Sequence, residues 1–372
     1  MKLYETQRRA VVPLDAQPGS TVRMYVCGIT PYDATHVGHA ATFLAYDVLQ
    51  RRLRDQGCRT RCVRNITDVD DDLLSRARAM GVHYLDLAAG SLAAFDADMA
   101  ALGLLPADAE PRATSAIADI RRLIGRLLRS GHAYRTSENV YFDVSAAQSF
   151  GELSGLDAAE MVELARSRGG RPDDPDKRNP LDFVLWQRSA PGEPEWSSAW
   201  GLGRPGWHVE CSALALAHLG ETVDVHGGGS DLVFPHHECS RAQSEAATGR
   251  PFVRHWMHTS MVRRDGVKMS KSAGNLAFVA DLRERWEPMA VRLALLGAHY
   301  RSDWDWSEEL VADAARRLER WRAAGRGDGA LARVRARLDD DLDTPGALAE
   351  IDAAADAGEP VSDAAALLGV LL

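Results

Sequence analysis

Two short polar clusters and three scattered soft donors are the residues of this chain best suited to chemistry. The first cluster is His36-Val37-Gly38-His39, placed just after a stretch that alternates apolar and polar residues and just before a run with helical spacing. Free N–H groups at a helix mouth, together with the helix dipole, favour anions, and two imidazoles there could donate to a phosphate. Gly38 carries no side chain, so a flat adenine or ribose could lie against its backbone. The second cluster is Lys268-Met269-Ser270-Lys271-Ser272, whose two lysines could offset charge building on the β- and γ-phosphates of a nucleotide. Each has an ordinary alternative when taken alone: surface-loop histidines for the first, a solvated basic turn for the second. Cys27, Cys211 and His236 form a third set, and Zn²⁺ commonly takes such donors while leaving one position open to a substrate. A free cysteine thiolate would suit that position and serine would not, although scattered Cys and His are most often core residues.

The elements that must position these groups follow from periodicity. VRMYVC, from Val22 to Cys27, alternates as a strand and reaches Gly28 and Pro31; the spacing of Phe43, Leu44, Val48, Leu49 and Leu53 predicts a helix over 38–56, stopped at Gly57; TRCVRNI is a second strand. Strand, helix and strand at this spacing make a βαβ unit, hence a parallel sheet with its ligand site at the C-terminal strand ends. A nicotinamide-binding rival is disfavoured because the first turn has no G-x-G-x-x-G. From about Asp71 to Ser130 the pattern is helical, and SRGGRPDDPDKRNP looks like part of an insertion. The sheet is expected to resume with LDFVLW and continue through TVDVHGG, with an Ala-, Arg- and Leu-rich helical appendage from about Asp303. The expected division is therefore 1–110 and 181–260 for two halves of a split Rossmann-like catalytic domain, 111–180 for an inserted connective region, 261–310 for the lysine loop and stem, and 311–372 for a helical C-terminal domain.

With 372 residues, the chain has room for two or three packed units. A formal net charge of -9 gives no global basic field for a polyanion, which neither shows nor excludes nucleic acid. Five cysteines, odd in number and widely spaced, argue for reduced thiols or metal ligands over a disulfide framework. MKLYETQRRAVVPLDA has no secretory apolar run, and no stretch approaches the roughly 20 apolar residues of a membrane span. The expectation is a cytoplasmic, monomeric protein.

HVGH and KMSKS in this order resemble the paired signature of class I aminoacyl-tRNA synthetases. YVCGITPYDATHVGHAATF, RNITDVDD, RPGWHVECSA, HGGGSDLVFPHHE and KMSKSAGN are similar, more narrowly, to the cysteinyl-tRNA synthetase family, over roughly residues 20–310. That resemblance implies a class I α/β fold, one Zn²⁺ held by Cys27, Cys211 and His236, and Trp207 as a wall beside the substrate thiol. Thr30, Thr67 and the Gly229-Ser230-Asp231 turn would hold cysteine and adenosine, with Gly38, Thr42, Asn65 and Val262 in the same binding pocket. His36, His39, Lys268 and Lys271 would serve the phosphates of Mg·ATP.

The acceptor is read from departures. The tRNA enzymes usually carry a fourth zinc ligand, a glutamate, where this chain has Ser240, and GITPYDATHVGHAAT resembles the related mycothiol-pathway ligases that join cysteine to glucosaminyl-inositol. Only about twenty residues follow DDDLDTPGALAEI, so an anticodon-reading domain is not expected. Against this, EPRAT and KRNPLDFVLW look more like the tRNA enzymes, and the ligases' usual ERGGDP stands here as Ser167-Arg168-Gly169-Gly170-Arg171-Pro172. The leading expectation is an ATP-dependent, AMP-forming cysteine ligase acting on a small amine, most readily glucosaminyl-inositol. The alternatives are a paralogue acting on another amine, a cysteinyl-tRNA synthetase lacking its anticodon domain, and a zinc-containing regulatory protein without turnover. Cys239, three residues after His236, is either a spare ligand or a buried free thiol.

Overall fold

The computed structural model describes residues 1–269 and 274–372. Its centre is a four-stranded, wholly parallel sheet. Strand β1 (Thr21–Ile29) leads through helix α1 (Val37–Asp55) to β2 (Arg59–Ile66), which is the expected βαβ unit. All five of the apolar residues that predicted α1 are buried, and Gly57, at φ +88°, ends the helical stretch in a conformation open to glycine at little cost. Much later the chain adds helix α2 (Trp207–Leu219), β3 (Val225–Gly229), helix α3 (Glu238–Thr248) and β4 (Trp256–Thr259). The spatial order is β4-β3-β1-β2. This is the class I, Rossmann-like arrangement the sequence predicts, with its C-terminal strand ends gathered on one edge.

Between β2 and α2 the chain builds something else. Ala133–Arg135, Asn139–Phe142, Phe183–Gln187, Trp196–Ser198 and Gly201–Pro205 form a separate five-stranded sheet whose pairs are all antiparallel. The expectation that the parallel sheet resumes at LDFVLW is therefore corrected. A short buried apolar run fits the interior of either sheet equally well, and only its partners decide which one.

Packing explains why β1 lacks the clean alternation of a half-exposed strand. Val22, Met24 and Val26 feed one apolar cluster with α1 and the C-terminal helices, whereas Tyr25 and Cys27 feed a second with α2, α3 and the antiparallel sheet. A central parallel strand covered on both faces buries consecutive residues, as Met24 to Cys27 are here. Strands approach closely at two glycines. A Cβ on Gly28 would lie 1.7 Å from Asn65 O, and one on Gly227 would lie 1.8 Å from Met257 O.

The helices Glu309–Ala324, Leu331–Asp339, Thr344–Asp356 and Ser362–Leu367 share the α1 cluster through Leu318 and Trp321, Val334, Ile351 and Ala365 respectively. One buried cation locks this side. Arg292, fully buried on helix Pro288–Leu296, donates to Asp47 of α1, to Leu368 O at 2.8 Å and to Leu102 O at 2.9 Å. Asp47 also accepts from Arg51 Nε at 2.8 Å, so removing Arg292 leaves that buried carboxylate only partly paired. Arg292→Met is expected to cost about 3 kcal/mol in a urea titration, the low end for breaking a buried pair, because Arg51 still neutralises Asp47.

Candidate active site

The C-terminal strand ends and the first turn of α1 open into a cleft of about 1030 Å³. Cys27, Thr30, His36, Gly38, His39, Thr42, Trp207, Gly229, Asp231, Val262 and Lys268 line it. Cys211 and His236 stand behind its inner wall, both 1% exposed. Each donor of this group comes from a different element for a local reason. Cys27 ends the buried part of β1, and Cys211 lies one helical turn after Trp207 on α2, so the two α2 residues share a face. Gly206 caps α2, where a Cβ would strike Val184 O at 2.1 Å. His236 sits in the turn Val233–His237 that leads into α3.

Their geometry suits a soft cation. The sulfurs of Cys27 and Cys211 are 3.9 Å apart, close to the ~3.8 Å between two sulfurs on one tetrahedral zinc. One donor atom from each of Cys27, Cys211 and His236 lies within 4.8 Å of the others. His236 Nε2 is buried without a hydrogen bond, and its Nδ1 meets His208 Nδ1 at 3.0 Å. An orphaned nitrogen beside two thiols is what a metal ligand looks like before the ion is added. The hydrogen bond from Cys27 holds the Cys211 thiol well below its usual range, while burial pushes the Cys27 thiol up. Trp207 stacks on His236, with centroids 4.1 Å apart and planes at 22°, and closes the cleft beside this group.

At the other end His36 caps α1, its Nδ1 accepting from Gly38 N at 3.1 Å, and its ring stacks on His39 at 3.8 Å. This refines the reading of Gly38. A Cβ there would lie 2.9 Å from the His36 ring, so the glycine makes room for the cap as well as for a ligand. The segment after the lysine cluster returns to this mouth, where Val37 N bonds to Ala277 O and Val279 N to Thr35 O, both at 2.9 Å. Lys268 Nζ reaches Asp231 Oδ2 at 3.3 Å across the cleft. Lys271 lies outside the described residues.

The remaining expected residues divide. Thr42 and Thr259 share a 2.8 Å hydrogen bond between hydroxyls, and Val262 O accepts from Met269 N at 3.2 Å. Asn65 and Thr67 are buried and do not line the cleft. Asn65 accepts from Gly28 N at 2.9 Å and donates to Thr67 Oγ1 at 2.9 Å, which props β1 from behind. Ser230 is not among the lining residues. Ser240 Oγ is buried without a hydrogen-bond partner, and Cys239 belongs to neither of the two donor groups that could hold a metal ion among the described residues. Sequence reasoning missed His208, His226, His237 and His258, although the crowding of histidines between 208 and 258 was the available signal. It also missed Arg168 as an anchor: this residue donates to the carbonyls of Asp231 and Phe234 and ties the irregular insert to the cleft.

Fold and cleft together are those of a class I synthetase catalytic domain, and residues 14–316 match the model of the "tRNA synthetases class I (C) catalytic domain". Solved structures agree on the fold. The Mycobacterium tuberculosis methionyl-tRNA synthetase in complex with methionyl-adenylate superposes with a TM-score of 0.67 at 19% identity, over 90% of this chain and 82% of that one. The L-cysteine:1D-myo-inositol 2-amino-2-deoxy-alpha-D-glucopyranoside ligase of Thermobispora bispora is 52% identical, covering 100% of this chain and 96% of its own length. Its counterpart in Streptosporangium roseum is 49% identical over 96% and 89% of the two chains. The chain belongs to this ligase family within the class I synthetases, as the resemblance implied. No described helix is long and apolar enough to cross a membrane.

Two outcomes test the site. Cys211→Ala should hold no stoichiometric zinc after dialysis against a chelator that leaves the parent loaded, as read by elemental analysis. Asp70, which lines the cleft and caps Asp71–Met80, is pushed up to about 6 by burial. Its folded pKa lies above its unfolded one, so it costs nothing below about pH 4 and its penalty builds as pH rises through about 6. Asp70→Asn keeps the cap, and it is expected to raise stability at neutral pH by about 2 kcal/mol in urea titrations, with the gain gone near pH 4.

Proposed function

We propose that this protein activates L-cysteine with ATP and joins it to the amine of 1D-myo-inositol 2-amino-2-deoxy-α-D-glucopyranoside. In the first step the cysteine carboxylate attacks the α-phosphate of Mg·ATP and releases pyrophosphate. In the second the acceptor amine attacks the mixed anhydride, an amide forms and AMP leaves. The observation that carries this reading is one cleft with a thiol-selecting end and a phosphate end. Cys27, Cys211 and His236 flank Trp207 at one end, and His36, His39 and Lys268 stand at the other. The names of relatives that match over nearly their whole length supply the acceptor.

Zinc held by Cys27, Cys211 and His236 would supply a soft Lewis acid for the substrate thiol, an affinity serine cannot match. The chain's own residues do the rest. Trp207 and the Gly229–Asp231 turn bound the amino acid, the mouth of α1 receives phosphate, and Lys268 offsets charge on the leaving pyrophosphate. Lys271 is assigned the same task from its place in the motif. Five free cysteines suit a reducing, cytoplasmic setting. A second reading, transfer to another small amine, draws on Arg171, which lines the cleft where the ligases' usual motif has an aspartate.

The test is cysteine-dependent conversion of ATP to AMP with glucosaminyl-inositol, tRNA and a panel of amines offered in parallel. Stimulation by glucosaminyl-inositol is expected, stimulation by another amine alone would establish the second reading, and stimulation by tRNA alone would overturn both. Lys268→Ala should slow pyrophosphate exchange by about 10²-fold with little change in the KM for cysteine.

A further inference from the structure

Behind the Cys27 sulfur runs a line of hydrogen bonds that the reaction above leaves unused. His237 Nε2 lies 3.1 Å from Cys27 Sγ, His237 Nδ1 lies 2.7 Å from His258 Nε2, and His258 Nδ1 lies 2.7 Å from Thr6 Oγ1. His237 is fully buried and His258 is 8% exposed. Thr6 is half-buried at the sheet edge, its own N–H bonded to Trp256 O at 3.0 Å. Trp256 packs beside both rings.

The 2.7 Å contact between the two rings needs an N–H on one nitrogen and a lone pair on the other, and the contacts with Cys27 and Thr6 take up the remaining nitrogen of each ring. The line is then polarised as a whole, with every donor pointing toward Cys27 or every donor pointing away. A thiolate in a metal site has no proton to give, which selects the first sense. Thr6 O–H donates to His258 Nδ1, His258 Nε2–H to His237 Nδ1, and His237 Nε2–H to Cys27 Sγ.

Direction matters here because Cys27 belongs to two overlapping donor groups. One is Cys27, Cys211 and His236, and the other is Cys27, His226 and His237. His226 is fully buried with no hydrogen bond on either nitrogen, so the second group is a real competitor for a cation. A proton on His237 Nε2 removes that lone pair from the second group and leaves the first as the complete one.

We propose that Thr6, His258 and His237 form a positioning relay that aims one N–H at the Cys27 sulfur and thereby directs a metal ion to Cys27, Cys211 and His236. The inference rests on the proposed metal reading of that group, and it adds Thr6 beside β4, His237 in the turn before α3 and His258 on β4, none of which lines the cleft. A hydrogen bond of this kind also draws charge from sulfur and fixes its orientation, as partners of metal ligands generally do.

Cobalt titration of the full-length protein tests it, because the thiolate-to-cobalt charge-transfer band reports both affinity and the number and character of bound sulfurs. The parent is expected to show a two-thiolate band. His258→Phe should weaken cobalt binding about 10-fold and move the band to lower energy or toward the intensity of one thiolate. His258→Gln, whose amide can still donate to His237 Nδ1, should recover most of the loss. Thr6→Val, conservative and near the surface, should shift both readouts in the same direction, and it decides the matter if His258→Phe does not fold. A parent with a two-thiolate band and folded variants identical to it would overturn the relay alone. A parent that binds no cobalt would overturn the metal reading and the relay with it.

Discussion

Two thiols and an imidazole packed against one another, away from water, are the constraint on which this molecule turns. Burying a polar donor without a partner costs free energy, and His236 Nε2 has none. A bound cation would satisfy that nitrogen. The wall that separates Cys211 and His236 from the cleft leaves Cys27 and Trp207 at the boundary.

Holding three donors from three elements within 4.8 Å requires a rigid frame. The parallel sheet supplies it, because its central strand is covered on both faces and serves two cores at once. Residues pointing one way bind β1 to α1 and the C-terminal helices; those pointing the other way, Tyr25 and Cys27, bind it to α2, α3 and the antiparallel sheet. The same strand therefore carries Cys27 on one face and anchors α1, whose mouth opens into the cleft, on the other. Glycines at 28 and 227 bring the strands together closely enough that no side chain intervenes. Arg292 closes the far side by tying α1 to distant carbonyls.

Asp231 joins the lysine cluster to the insert. Its carboxylate meets Lys268 from the lysine cluster, and its carbonyl takes a hydrogen bond from Arg168 in the insert. Groups that would attend the phosphates and a segment free to shape an acceptor pocket thus converge on one residue.

The sequence by itself determined the chemistry and the central frame. Local signals carry that information: a glycine that ends α1, helical spacing from Phe43 to Leu53, a histidine pair at a helix mouth and lysines in a polar turn. Cys27, Cys211 and His236 were legible as donors because soft ligands beside adenylation motifs are a restricted combination. Tertiary structure alone decided what depends on partners distant in the chain. Phe183–Gln187 joined an antiparallel sheet because its neighbours lie in the insert, which its own apolar run does not reveal. Asn65 and Thr67 became props behind β1, and Gly38 became a space for the ring of His36. His237 and His258 look like ordinary histidines in HHE and MHT. They acquire meaning only when the fold sets them in line between Thr6 and Cys27, because a hydrogen bond spanning more than two hundred residues of sequence leaves no periodic trace.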